Sequence, residues 1–165
     1  MDREVPERVR QYLRHGLSAT PKTMAALLRG ASDAEFDARP YADRFTLREV
    51  LGHVADWDGI WLERLIKIAT EDAPLLPGYD EGQWAIDHDY AHMEPAEQLA
   101  RFAADRQKLV DYLAGVETGV WQRSGTHSEM GSITFLELVS LVLGHDGYHV
   151  RQILDYRGMS EPVGA

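Results

Sequence analysis

The sequence predicts an all-α fold, a four-helix bundle, on the strength of three observations. Apolar residues recur at intervals of three and four in four separate segments, the period of an amphipathic helix. No segment alternates apolar and polar residues over a useful strand length. Each helical segment spans two to three heptads, so four of them can bury one shared core.

The first two helices are predicted over residues 6–28 and 46–69. Pro21 interrupts the first, and a proline inside a helix removes a hydrogen bond, so a kink or a break is expected there. The apolar stripe keeps its phase across Pro21, which favours the kink. The second helix begins with a capping-box pattern, Thr46 followed by Glu49.

The third and fourth helices follow after a long connection. The third begins near Pro95, a residue suited to the first position of a helix. The fourth opens with a second capping-box pattern, Thr134 followed by Glu137, and ends before Gly158. The segment 71–93, rich in proline and glycine, is long enough to cross the bundle, and such loops are often functional or partly structured.

Length and composition limit the classes of function. We expect the 165 residues to form a single domain, 1–165. The net charge of -10 argues against nucleic acid and anionic membranes as partners, because both require clustered basic residues. The absence of cysteine excludes disulfides and thiol nucleophiles of the protein itself. No signal-peptide pattern or membrane-spanning run is present, so we expect a cytoplasmic protein.

Three histidines on predicted core faces form a candidate metal site. His145 and His149 lie four residues apart in the fourth helix, and His53 lies on the inward stripe of the second. Neutral imidazoles bind zinc, nickel, iron and copper, and three of them leave one position for water or substrate. Spacing alone leaves open the alternative that they are polar residues that share a core face.

Other polar residues receive more specific expectations. Asp56 lies about one turn beyond the histidine of the second helix, where it could orient a ligand or accept a proton as a catalytic residue. Asp146 points about a quarter turn away from that face and is expected to be solvated. His88 and His92 lie in a loop-rich segment and are not expected to bind metal. His127 lies in a glycine-containing link that could border a pocket.

The order of these features resembles the DinB family, also called the DinB/YfiT-like metalloenzymes. The resemblance rests on "FTLREVLGHVADWDGIWLERL" (45–65) and on "GSITFLELVSLVLGHDGYHVRQI" (131–153), which contains the family's H-x-x-x-H pair. "LPGYDEGQW" (76–84) and the helix that follows resemble the central loop and third helix of one branch. The resemblance covers nearly the whole chain.

Membership of that family would imply more than the residues do alone. It implies an up-down-down-up order of helices and a divalent metal ion held by His53, His145 and His149. Zinc or nickel is the expected ion, with iron and manganese as alternatives. It also implies a homodimer, to which the number of apolar residues on four amphipathic helices lends some support.

Two classes of function follow from the same residues. The first is a metal-dependent enzyme, a thiol S-transferase or a hydrolase, acting on a small molecule that could be a low-molecular-weight thiol. The second is a non-catalytic or stress-associated protein in which the ion is structural. An open metal position beside a pocket favours the enzyme, and a fourth protein ligand favours the structural role. A bundle without metal is a third alternative.

Overall fold

The structure is a bundle of four long helices, with short elements in the connections. The computed structural model describes residues 4–159. The long helices are α1 (Glu7–Leu27), α3 (Leu47–Thr70), α5 (Pro95–Gly115) and α6 (Phe135–Tyr156). The short helices are α2 (Asp33–Asp37) and α4 (Glu81–Asp87), and 3-10 turns cover Tyr90–His92 and Thr118–Gln122. The predicted bundle is confirmed. Within the described range, no helix is both long and apolar enough to cross a membrane.

The two helices that carry the candidate metal ligands begin at the predicted caps. Thr46 Oγ1 accepts a hydrogen bond from the Glu49 N–H at 3.2 Å, and the Glu49 carboxylate accepts one from the Thr46 N–H at 2.8 Å. Thr134 and Glu137 form the same reciprocal pair at the start of α6. These bonds satisfy N–H groups that the first turn of a helix leaves unpaired. The start of each of these helices is therefore fixed by local sequence.

Helix α1 continues through Pro21 without the break that was one of the two expected outcomes. Because proline has no N–H, the carbonyl of Leu17, four residues earlier, loses its partner within the helix. Nη1 of Arg106 on α5 donates to that carbonyl oxygen at 3.0 Å. A buried side chain from a neighbouring helix thus satisfies the acceptor that the proline leaves free.

Contacts between helices define their relative directions. Residue numbers rise together in the contacts of α1 with α6, where Thr20 meets Asp146 and Leu27 meets Arg157. They also rise together along α3 and α5, where Arg48 meets Met93, just before α5, and Asp58 meets Arg106. Between α1 and α5 they run in opposite senses: Arg10 with Thr118, Leu17 with Arg106. Helices α1 and α6 therefore point one way and α3 and α5 the other, and the segment 71–94 returns along the bundle.

The connections between the helices also form a small three-stranded sheet, for which the sequence pattern gives no signal. Strand β1 (Leu75–Leu76) pairs in parallel with β2 (Ser124–His127), which pairs antiparallel with β3 (Gly131–Thr134). Strands of two and four residues are too short for alternation to be recognised. A Cβ atom at Gly125 would lie 3.0 Å from the Pro74 carbonyl oxygen, so glycine permits this close approach.

Buried polar groups lie at the boundary between two apolar clusters of the core. One cluster contains Trp57, Leu109 and Val142, and the other contains Ala55, Phe102 and Ile153. Near this boundary lie the three candidate histidines and the charged residues Asp58, Arg106 and Asp146. The candidate site is therefore built into the middle of the bundle.

Candidate metal centre

Three histidine side chains from two helices converge inside the bundle. His53 comes from α3, and His145 and His149 lie one turn apart on α6. Nε2 of His145 is 2.9 Å from Nε2 of His53 and 3.2 Å from Nε2 of His149. His53 and His149 are buried, whereas His145 is partly exposed. The structure brings together all three residues that the helical spacing places on inward faces.

The separations of these nitrogens suit one metal ion. Zinc binds histidine nitrogen at about 2.0–2.1 Å in tetrahedral geometry, which puts two ligand nitrogens about 3.3 Å apart. Ligand atoms of the three histidines lie within 4.8 Å of one another. Between residues 4 and 159, no carboxylate belongs to this group. Three nitrogen donors therefore leave one tetrahedral position without a protein ligand.

The surroundings keep the three imidazoles neutral. Burial lowers the pKa of His145 to about 3, and the positive charges of Arg106 and of His149, when that ring is protonated, act in the same direction. Burial also lowers the pKa of His149 to about 4, and that of His53 falls well below its usual 6.5. A neutral imidazole keeps a nitrogen lone pair, which metal binding requires. At neutral pH the group is therefore ready to act as ligands without losing protons.

Gln152 fixes the orientation of one of these imidazoles. Its side-chain nitrogen donates to the carbonyl oxygen of Phe45 at 2.9 Å. Its oxygen lies 3.1 Å from Nδ1 of His149 and accepts that hydrogen bond. With the proton on Nδ1, the lone pair of His149 is on Nε2, the atom that faces the other histidines. The helical spacing places Gln152 near the pair, but only the structure shows this role.

A buried ion cluster lies next to the histidines, and it corrects the expectation for Asp146. Asp146 is 2% exposed, not solvated, and its carboxylate pairs with the Arg106 guanidinium. Arg106 also binds both oxygens of Asp58, at 2.7 and 2.8 Å, and Thr20 donates to Asp146 at 2.6 Å. The cluster connects all four long helices. It covers the side of α6 that carries Asp146, a side that faces solvent when this helix is considered alone.

Asp56 lies outside the three-histidine group. One carboxylate oxygen accepts hydrogen bonds from Tyr90 Oη at 2.7 Å and from Trp84 Nε1 at 3.0 Å. The other accepts from Arg101. These three donors belong to the segment after α3 and to α5, so Asp56 ties that segment to the bundle. That Asp56 accepts a proton stays a prediction. Its contacts favour a role in holding the segment after α3 in place.

Two cavities reach the histidine group, and His145 and Glu81 line both. The first, which we call the tryptophan cavity, has a volume of about 200 Å³ and includes Trp57 and Trp61 in its walls. The second, about 280 Å³, lies between residues 43–45, α4 and the outer part of α6. The open side of the group therefore faces space for small molecules.

The remaining histidines take different places. His88 stacks on Trp84 with ring centroids 4.6 Å apart, and the exposed His92 pairs with Asp89. Neither joins the candidate centre. His127 is buried in β2 and lines the tryptophan cavity, where its Nδ1 accepts the Glu129 N–H at 3.2 Å. Arg64, for which the sequence pattern gives no signal, lines the same cavity.

Comparison with known proteins identifies the family. The family model described as "DinB superfamily" matches residues 17–153. The chain belongs to the DinB superfamily. The match includes all three histidines of the candidate centre, and it confirms the resemblance that the sequence motifs carry.

Individual relatives share modest identity with the chain. A protein of Oceanobacillus iheyensis is 24% identical over 81% of this chain and 77% of its own length. YfiT of Bacillus subtilis is 25% identical over 84% of this chain and 79% of its own length. Both are named "Putative metal-dependent hydrolase".

A solved structure supports the fold. The structure of YfiT superposes with a TM-score of 0.86 at 20% identity, covering 97% of this chain and 94% of that one. Its description is "a probable metal-dependent hydrolase with an unusual four-helix bundle topology". At this identity the likeness establishes a shared fold, a four-helix bundle.

Proposed function

We propose that this chain is a metal-dependent enzyme that acts on a small molecule, with hydrolysis as its leading reaction. The observation that carries the proposal is the convergence of three histidine Nε2 atoms beside two cavities, with no fourth protein ligand among the described residues. Three ligands and an open position are typical of catalytic rather than structural zinc sites. The names of the relatives point to the same reaction class.

The chain's own residues would hold and shape this centre. His53, His145 and His149 supply the ligand nitrogens, and Gln152 keeps the lone pair of His149 directed inward. A bound divalent ion would polarise a substrate carbonyl and lower the pKa of a coordinated water or thiol. An all-nitrogen set suits zinc or nickel better than magnesium or calcium, with iron and manganese as alternatives.

A thiol S-transferase is the second candidate reaction. Hydrolysis needs room for one substrate and water, whereas transfer to a thiol needs room for two reactants. The two cavities meet at His145 and Glu81, which provides such room. A low-molecular-weight thiol in one cavity and an electrophile in the other would both reach the histidine group.

The rival function is a non-catalytic protein with a structural ion. Structural zinc sites are closed by four protein ligands. A cobalt-substituted protein distinguishes the alternatives, because the absorption spectrum of cobalt responds to an added ligand only when a position is open. We expect azide to change that spectrum, and an unchanged spectrum would favour the structural ion.

The activity itself is tested by metal analysis combined with substrate screens. One screen uses ester and amide substrates, and the other pairs common thiols with electrophiles. We expect one ion per chain and turnover that is lost in His149→Ala. His88→Ala is the matched control, because His88 lies outside the centre, and it should keep both metal and turnover. Turnover that survives complete removal of metal would refute the proposal.

A further inference from the structure

A buried arginine with no acidic partner among residues 4–159 lies beside the histidine group. Arg64, on α3, is 5% exposed. Nη2 donates to the carbonyl oxygen of Pro77 at 2.5 Å, and Nε has no hydrogen-bond partner within the described part of the chain. Buried arginines are normally paired, because an uncompensated buried charge is costly.

The other buried arginines show what Arg64 lacks. Arg106, 2% exposed, pairs with Asp58 and Asp146, and Arg48, 8% exposed, pairs with Asp37 at 2.6 Å. For Arg64, by contrast, no carboxylate oxygen of residues 4–159 lies within 4.0 Å of the guanidinium nitrogens. The fold therefore provides an anion for two buried arginines and none for the third.

The unpaired guanidinium faces the same cavity as the candidate metal ligand. Cζ of Arg64 lies 5.1 Å from the centroid of the Trp61 ring, and the ring of His145 lies 5.7 Å from it. The distance from Cζ of Arg64 to the centroid of the His145 ring therefore cannot exceed the sum of these two distances. Both line the tryptophan cavity, whose walls also include the apolar side chains of Trp57, Met130 and Leu141.

The acidic residues of the cavity act against an anion, but they leave the arginine unpaired. Glu81 and Glu129 line the cavity and interact with Arg64 only at longer range. His127 adds a donor: because its Nδ1 accepts a backbone hydrogen bond, Nε2 carries the proton in the neutral ring. An anion that reached the guanidinium would bind a positive charge that no carboxylate of residues 4–159 already pairs with.

We propose that the tryptophan cavity binds the carboxylate of a small substrate, with Arg64 as the anion-binding group. The apolar body of the substrate lies against Trp57, Met130 and Leu141, and its reactive end points toward His145. A guanidinium matches a carboxylate through parallel, charge-assisted hydrogen bonds. This inference deepens the proposed function, because it takes the cavity beside the histidines as the substrate site.

Paired probes test the proposal in metal-free protein, so that a bond between carboxylate and metal cannot contribute. Phenylacetate carries the charge, and phenylacetamide has the same shape without it. Binding is measured by calorimetry and by the fluorescence of the cavity tryptophans. We expect phenylacetate to bind about 10-fold or more tightly than the amide, from the charge-assisted bonds it alone can make. Equal affinities, or no binding of either probe at millimolar concentration, would refute the proposal.

Substitutions locate the preference at Arg64. Arg64→Met should abolish the preference for the carboxylate, and Arg64→Lys should retain only part of it, because lysine lacks the planar fork. Arg151→Met, an exposed arginine on α6, is the matched control and should behave as wild type. If Arg64→Met does not fold, as judged by circular dichroism, Arg64→Lys decides: an unchanged preference there refutes the assignment.

A further variant tests the acidic residues, and metal titration separates the two proposals. Glu129→Gln should strengthen phenylacetate binding, because it removes a like charge from the cavity. Weaker binding would contradict the proposed carboxylate site. Metal binding without a carboxylate preference would overturn only the role of Arg64. A carboxylate preference in a protein that binds no metal would support the role of Arg64 and overturn the metal-dependent function.

Discussion

Replacing Gln152 by leucine should weaken metal binding without replacing any proposed ligand. Gln152 is 3% exposed, and its oxygen is the acceptor that the described residues provide for Nδ1 of His149. Nδ1–H then loses its only described acceptor, and the proton no longer has a reason to stay on that nitrogen. Loss of such a partner typically costs about 10–100-fold in metal affinity, or roughly 1.4–2.7 kcal/mol. The ligand set itself is unchanged.

The assay is competition with a chromogenic chelator at pH 7, with zinc and with nickel. Gln152→Glu keeps an acceptor for the His149 proton and should bind metal within a few-fold of wild type. Gln98→Leu is the matched control. Gln98 on α5 is also buried, 8% exposed, and its side-chain oxygen accepts no hydrogen bond in the described structure. Gln152→Leu with the affinity of wild type, or Gln98→Leu with an equal loss, would refute the positioning role.

Five further predictions concern the centre, its surroundings and the assembly. Alanine in place of any of the three histidines should remove most of the bound metal while circular dichroism stays helical; full occupancy in all three variants would refute the site. Metal affinity should stay constant from pH 7 to about 5 and fall toward pH 4, because burial lowers the pKa of His149 to about 4 and of His145 to about 3. An exposed imidazole would instead lose the metal below about pH 6. The metal-free chain should meanwhile lose stability below about pH 6.5 in urea titrations, since unfolded imidazoles take up protons that the folded ones do not. Asp56→Asn should keep the metal but lower the free energy of unfolding by about 1–3 kcal/mol, because three donors lose a charged acceptor; a loss of turnover by about 10²–10⁴-fold with unchanged stability would instead support the proton-accepting role. The homodimer predicted from the sequence is tested by light scattering, where a monomer at micromolar concentration would remove it.

Local sequence determined where the ligand-bearing helices begin and which faces they bury. The capping boxes at Thr46 and Thr134 depend on residues three apart, and they form as the sequence predicts. The spacing of His145 and His149 follows from the helical repeat alone. The inward position of His53 follows from the apolar stripe around it. Each of these features depends on interactions within one turn or one face of a helix.

The same local reasoning fails where a second element decides the environment. Asp146 looks solvated when α6 is considered alone, but Arg106 of α5 and Thr20 of α1 cover it. For Asp56, local reasoning gives no sign of the hydrogen bonds that the carboxylate accepts from Tyr90 and Arg101. Their partners lie tens of residues away in the chain, and helical periodicity carries no information about which helix packs against which.

The sequence by itself thus determined four amphipathic helices and three histidines on their inward faces. Only the tertiary structure decided that α3 and α6 are neighbours with their histidines at the same level, which brings Nε2 of His53 to 2.9 Å from Nε2 of His145. It also decided that Arg64 is buried beside them with no acidic partner among the described residues. The physical reason is that helix formation depends on near neighbours in the chain, whereas a site depends on how separate helices pack.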